Sequence, residues 1–130
     1  MVAVSLYRVI VPVQDIEHAT RFYSAILGAP GERVSTGRHY FDCNGIILAC
    51  YDPLADGDGP GSSWVFHPSQ NLYFAVPNLA AALEKVRSAG GDILDDIAER
   101  PWGERSFYAR DPFGTPICCV DAATVFTGRS

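Results

Sequence analysis

Two stretches of this chain repeat one device, and that repetition narrows the possible folds more than any other feature. In residues 101–120, PWGERSFYARDPFGTPICCV, two β-prone runs (106–110 and 116–120) flank Asp111-Pro112-Phe113-Gly114. In residues 38–51 the runs 38–41 and 46–51 flank Asp42-Cys43-Asn44-Gly45. An Asp carboxylate bonds its own downstream backbone, Pro sets φ, and Gly is free to take positive φ. Each D-x-x-G therefore reads as the turn of a hairpin.

The segments before each hairpin repeat as well. Residues 7–13, YRVIVPV, alternate as a strand, with Val9, Val11 and Val13 on one face and Arg8, Ile10 and Pro12 on the other. Pro12 lacks a donor and belongs at a strand end or sheet edge. Asp15 then fits the cap of a helix over residues 16–27, whose apolar stripe runs Ile16, Ala19, Phe22, Tyr23, Ile26, Leu27 and stops at Gly28. A weak strand near 32–35 leads into the first hairpin. A constant shift along the chain lays Arg8 on Asn71, Val13 on Val76 and Asp15 on Asn78. Residues 71–76 form the matching strand, with Leu72, Phe74 and Val76 on one face and Asn71, Tyr73 and Ala75 on the other. Asn78 caps a helix over 79–89, with Leu79, Ala82, Leu83 and Val86 inward and Gly90-Gly91 closing it. Residues 93–97 supply a weak strand before the second hairpin. Each half reads β-α-β-β-β.

The expected fold class is α+β: two paired βαβββ modules forming a curved mixed sheet around a cavity, helices outside. The modules span about 4–52 and 71–122 of a single domain over 1–130. A linker over about 53–70, rich in Gly, Pro, Asp and Ser, joins them, and a short tail follows. Trp64-Val65-Phe66 interrupts the linker as a packing segment. The valine-rich faces pack on the helices; the mixed faces, with Arg8, Ile10, Asn71 and Tyr73, line the cavity.

The net charge of −5, with no basic block, argues against nucleic acid or an anionic membrane as main partner. No apolar run approaches the roughly 18 residues of a membrane span. The first residues, MVAVSLYRVIVPV, read as a strand rather than a signal peptide, so a cytoplasmic location is expected. Cys43, Cys50, Cys118 and Cys119 show no C-x-x-C spacing. They read as reduced thiols acting as small apolar side chains, with neighbouring Cys118 and Cys119 on opposite faces of one strand.

The run Val13-Gln14-Asp15 with the helix end FYSAILG, and the later PWGERSFYARDPFGTPI, resemble the vicinal oxygen chelate (VOC) superfamily, the glyoxalase, bleomycin-resistance and extradiol-dioxygenase group. The resemblance runs from about Leu6 to Asp121. It implies the paired-module fold and leaves function broad: isomerases, lyases, dioxygenases, thiol transferases and drug-sequestering proteins share it. Enzymes of this group hold a divalent metal with His or Gln from the first strand of each module and Glu from the last. Carried onto this chain, those positions are Arg8, Ala49, Asn71 and Cys118. Arginine is a permanent cation, alanine has no donor atom, asparagine is a weak neutral ligand, and a lone cysteine suits softer ions. No metal and no other cofactor is expected there.

Other residues carry the remaining chemistry. Counted back from its D-x-x-G, His39 falls where Tyr108 falls in the second half. It is the one catalytic candidate, as a general base, and otherwise a ligand contact or a lining histidine. His18 is expected on an exposed helix turn and His67 in the linker. Arg8 reads either as an anchor for an anionic ligand group or as one half of an internal ion pair with Glu104 or Asp42. Phe41, Tyr51, Tyr73, Trp102 and Tyr108 offer aromatic walls or plain core packing, and Arg110 shares the parity of Tyr108. Cys118 is a reactive thiol if Arg8 lies beside it, and a buried inert one otherwise. The expected function is a glyoxalase/bleomycin-resistance-like small-molecule-binding protein without the usual divalent metal, its ligand anionic or aromatic. The alternative is a VOC-type enzyme (lyase, isomerase or dioxygenase-like) using a displaced metal through His39 or His67, or metal-free acid–base chemistry. A third reading is a subunit whose cavity its own side chains fill. The resemblance also implies a homodimer.

Overall fold

Both helices begin where a short polar side chain takes the cap. Helix α1 (Ile16–Leu27) follows Asp15, which is extended at φ −150° and accepts from the backbone N–H of His18. Helix α2 (Leu79–Ser88) follows Asn78, extended at φ −138°, which accepts from the backbone N–H of Ala81. Each carboxylate or amide oxygen satisfies one of the donors a helix start leaves open. Gly28 ends α1 in the left-handed conformation. The helices bury Ile16, Ala19, Phe22, Tyr23 and Ile26 in α1 and Leu79, Ala82, Leu83 and Val86 in α2, as expected, while Leu27, at the end of the expected α1 stripe, is half-buried.

The computed structural model describes residues 4–58 and 70–126. His67 and Trp64-Val65-Phe66 lie outside the described residues. The chain divides into two units, Met1–Phe66 and His67–Ser130. In the first, α1 packs on a four-stranded sheet of β1 (Arg8–Pro12), β2 (Glu32–Ser35), β3 (Arg38–Cys43) and β4 (Ile46–Tyr51), in the order β1-β4-β3-β2. β1 runs parallel to β4, and the other pairs are antiparallel. Pro12 is the last residue of an outer strand, where its missing donor leaves no gap in a ladder.

The second unit has β5 (Leu72–Val76), β6 (Asp92–Ile93), β7 (Ala98–Glu99), β8 (Arg105–Arg110) and β9 (Pro116–Asp121), in the order β5-β9-β8-β6 with β7 also on β8. The single weak strand expected over 93–97 is two short pieces instead. Between them the Asp95 carboxylate takes the Tyr108 backbone N–H at 2.7 Å, so a side chain stands where a strand partner would.

The two hairpins differ in a way that matters for the site. Asn44 and Gly45, at φ 56° and 100°, form a two-residue turn between the paired Cys43 and Ile46. That geometry needs two positive φ values, which Asn-Gly supplies with little strain. The second turn spans 111–115: Asp111 Oδ1 accepts from the N–H groups of Phe113 and Thr115, both at 2.8 Å. Asp42 therefore sits in its ladder opposite Ile47, whereas Asp111 sits in its turn.

Candidate functional site

The face of the second sheet away from α2 is organised by a residue the sequence reading passed over. Arg100 folds back because Pro101, Trp102 and Gly103 make a tight turn, with Gly103 at φ 96° and the Arg100 N–H donating to Glu104 O at 2.7 Å. The Arg100 guanidinium pairs with Asp95 at 2.8 Å and donates to the Ser106 hydroxyl at 2.9 Å and the Ser106 carbonyl at 3.0 Å. It also stacks over the Tyr108 ring, 4.9 Å from its centroid. Tyr108 shares a row with Cys118 and Tyr73 across β8, β9 and β5. The Tyr73 and Tyr108 rings meet edge to face at 6.5 Å. The neighbouring Tyr73 hydroxyl, with burial, pushes the Tyr108 phenol well above its ordinary range.

Beside this network lies a groove of about 430 Å³, entirely within the second unit and lined chiefly by Tyr73, Ala75, Trp102, Glu104, Val120 and Phe126. Trp102 is 60% exposed and its indole N–H donates to Glu104 Oε1 at 2.9 Å, which fixes the ring's tilt. Tyr73 is 56% and Phe126 85% exposed. Large rings are ordinarily withdrawn from water, so three exposed around one groove form an apolar surface with a polar edge.

In the first unit the corresponding open face carries Arg8, Ile10, Tyr40 and Tyr51. Arg8 is exposed, so the expected cost of an enclosed cation does not arise. Its guanidinium donates to the Tyr40 hydroxyl at 3.0 Å and lies over the rings of Tyr7 and Tyr40. Among the described residues it pairs with no carboxylate, Asp42 included. Asp42 instead accepts from the Gly45 N–H at 2.7 Å. Tyr51 is stacked by the Arg38 guanidinium at 4.3 Å and bonds Asp58.

Register corrects the reading of His39 and Phe41. The row Ile10, Ala49, Tyr40 corresponds to Tyr73, Cys118, Tyr108, so Tyr40 is the equivalent of Tyr108 and His39 that of Phe107. Counting from the aspartates fails by one residue because Asp42 is in a strand and Asp111 in a turn. His39 lies on the helix side, where its ring meets Phe41 at 5.0 Å and Phe41 meets Tyr23 at 6.4 Å. Both residues are buried. His39 Nε2 donates to Pro30 O at 2.8 Å while Nδ1 accepts from Arg33 Nε at 3.2 Å. Both ring nitrogens are thus engaged in holding the loop before β2. Asn71 is half-buried just ahead of β5, and Arg110 is exposed with the parity of Tyr108.

The family's metal positions do not fit an ion. Ala49 lies beside Ile10, and Cys118 beside Tyr73 and Tyr108. Burial pushes the Cys118 thiol up, and the Ser106 hydroxyl and Arg100 pull it back only in part. A thiol held protonated is a poor ligand. Within its own unit, the cation acting on Cys118 is Arg100. The neighbouring Cys119 thiol is pushed up to about 12 by burial. Among the described residues no three His, Cys, Asp or Glu side chains gather as a metal site, and no helix is long and apolar enough to cross a membrane.

Residues 5–119 match the sequence profile of the Glyoxalase/Bleomycin resistance protein/Dioxygenase superfamily. Among solved structures, a glyoxalase/bleomycin resistance protein from Albidiferax ferrireducens is similar with TM-score 0.73 at 24% identity, over 88% of this chain and 95% of that one. A glyoxalase/bleomycin resistance protein/dioxygenase family enzyme from Burkholderia phytofirmans aligns with TM-score 0.72 at 14% identity, over 92% and 99%. A protein from the mobile metagenome of V. Pseudocholerae aligns with TM-score 0.69 at 27% identity, over 93% and 96%. No curated protein matches the chain in sequence.

Proposed function

Since the chain belongs to the Glyoxalase/Bleomycin resistance protein/Dioxygenase superfamily, we propose that it is one of the members that bind a small molecule without a metal. The ligand is a planar aromatic compound seated in the groove of the second unit. The observation that carries this reading is the set of exposed rings there, Trp102, Tyr73 and Phe126, around about 430 Å³. Flat apolar walls with few polar groups suit a small hydrophobic ligand. The Arg100 network holds Tyr108, and through it Tyr73, so one wall is fixed before the ligand arrives. The metal positions argue against the lyase, isomerase and dioxygenase chemistries that depend on an ion there, because Arg8, Ala49, Asn71 and Cys118 are a poor donor set. The resemblance to this superfamily supports a homodimer, and Arg8 is exposed on the first unit.

The test is a titration with 2-naphthylmethanol, followed by calorimetry and by the indole N–H resonance of Trp102. The resonance shifts on binding, and Trp102→Ala weakens binding about 3- to 10-fold, the scale of one aromatic contact. An indole resonance that stays put while the probe binds elsewhere overturns the assignment.

A further inference from the structure

We propose that this groove selects aromatic ligands bearing a positive charge, an ammonium or amidinium group held by the Glu104 carboxylate. The inference rests on the groove's being the ligand site and specifies the ligand's charge. Glu104 is the one formally charged side chain among the described residues lining it; the others are the aromatic Tyr73, Phe74, Trp102 and Phe126 and small or aliphatic side chains. Its Oε1 receives the Trp102 N–H, so the carboxylate stands at the edge of the indole that forms the wall. A carboxylate has about four acceptor positions, and among the described residues that indole is the one hydrogen-bond partner of this side chain. Nor does any described Arg or Lys form an ion pair with it. Arg100, across the same turn from Glu104, is committed to Asp95 and Ser106.

An organic cation meets complementary chemistry twice. Its charged group reaches the open side of the Glu104 carboxylate, and its ring system lies on faces whose quadrupoles favour a cation. An anionic ligand of the same shape meets a carboxylate at close range, in a chain whose net charge of −5 repels it further.

The experiment compares 2-naphthylmethylammonium, 2-naphthylmethanol and 2-naphthoate, which share one ring system and differ in charge. Calorimetry gives the affinities, and the Trp102 indole resonance reports the site. The ammonium is expected to bind about 5-fold tighter than the alcohol, and the naphthoate weakest. Glu104→Gln keeps an acceptor for the Trp102 N–H, removes the charge, and brings the ammonium down to the alcohol while leaving the alcohol within about twofold. The preference also shrinks at about 0.5 M salt. Equal affinities for all three, unchanged in Glu104→Gln, overturn charge selection and leave the aromatic groove standing. Tighter binding of naphthoate overturns it as well. Failure of all three to move the indole resonance overturns the groove itself, and the inference with it.

Discussion

Arg100 shows how one side chain can decide what a sheet face is for. Its guanidinium closes three contacts, to Asp95, the Ser106 hydroxyl and the Ser106 carbonyl, and covers a ring besides. With the Arg100 side chain only 15% exposed and Ser106 buried, truncation leaves the Ser106 hydroxyl and carbonyl without this partner and away from water. A fully buried pair broken this way costs about 3–5 kcal/mol; Asp95 remains partly solvated, so Arg100→Ala is expected to cost about 2–3 kcal/mol in urea unfolding. Arg100→Lys keeps a charge for Asp95 but not the planar fork on Ser106, and should recover about half. Equal stabilities for the wild type and Arg100→Ala would show the network to be ornamental. Little in the sequence marked this residue. It stands one position before the P-W-G turn, and only the fold of that turn reveals that its side chain comes back onto β8. A turn read at Pro101-Trp102-Gly103 could have prompted the question of what Arg100 meets on the returning strand.

Elements were more legible than the contacts between them. Caps, helical stripes and hairpin turns are local, so Asp15, Asn78 and the two D-x-x-G runs could be read from a few neighbouring residues. Register is not local. A single residue of difference in turn length moved His39 to the opposite face, since side chains alternate with a period of two. The loop after β4 is another element fixed by contacts that spacing does not announce. Asp56 accepts from Ser35 Oγ at 2.8 Å, the Gly37 N–H at 2.5 Å and Arg38 at 2.8 Å. Gly37 is indispensable there, because a Cβ would sit 2.2 Å from the Asp52 carbonyl oxygen. The Ser35 hydrogen bond first, then those from Gly37 and Arg38, hold the Asp56 carboxyl below its ordinary value. A carboxyl whose folded pKa is depressed stabilises the fold above the unfolded value, and that contribution is lost as pH falls through the folded one. Wild type should therefore exceed Asp56→Asn in urea midpoint at pH 7. The gap should narrow below about pH 4, where unfolded carboxylates protonate, and close at lower pH still. A gap that holds steady from pH 7 to pH 2 would mean that Asp56 contributes shape rather than charge.

At the scale of the chain, duplication supplied two equivalent scaffolds that then diverged in what they carry. The equivalent rows Ile10, Ala49, Tyr40 and Tyr73, Cys118, Tyr108 occupy one place in each unit, yet Tyr40 meets the exposed Arg8, whereas Tyr108 is held by Arg100, itself tied to Asp95 and Ser106, beside a groove. The repeat was visible in the sequence because strand alternation and helix caps survive divergence; the asymmetry was not, because it rests on Arg100, Asp95 and Glu104, which have no counterpart in the pattern of roles. The same divergence bears on the superfamily's ion. A permanent cation, a methyl group, an amide and a protonated thiol cannot replace imidazole and carboxylate as ligands for a hard divalent ion. Protein purified without added metal should contain well under one equivalent of any divalent ion by elemental analysis. Dialysis against EDTA should leave 2-naphthylmethylammonium binding within about twofold, because the contacts assigned to it are rings and one carboxylate. If a stoichiometric ion is found and its removal abolishes that binding, the donors lie at positions this chain does not share with its relatives, and the groove is only part of the site.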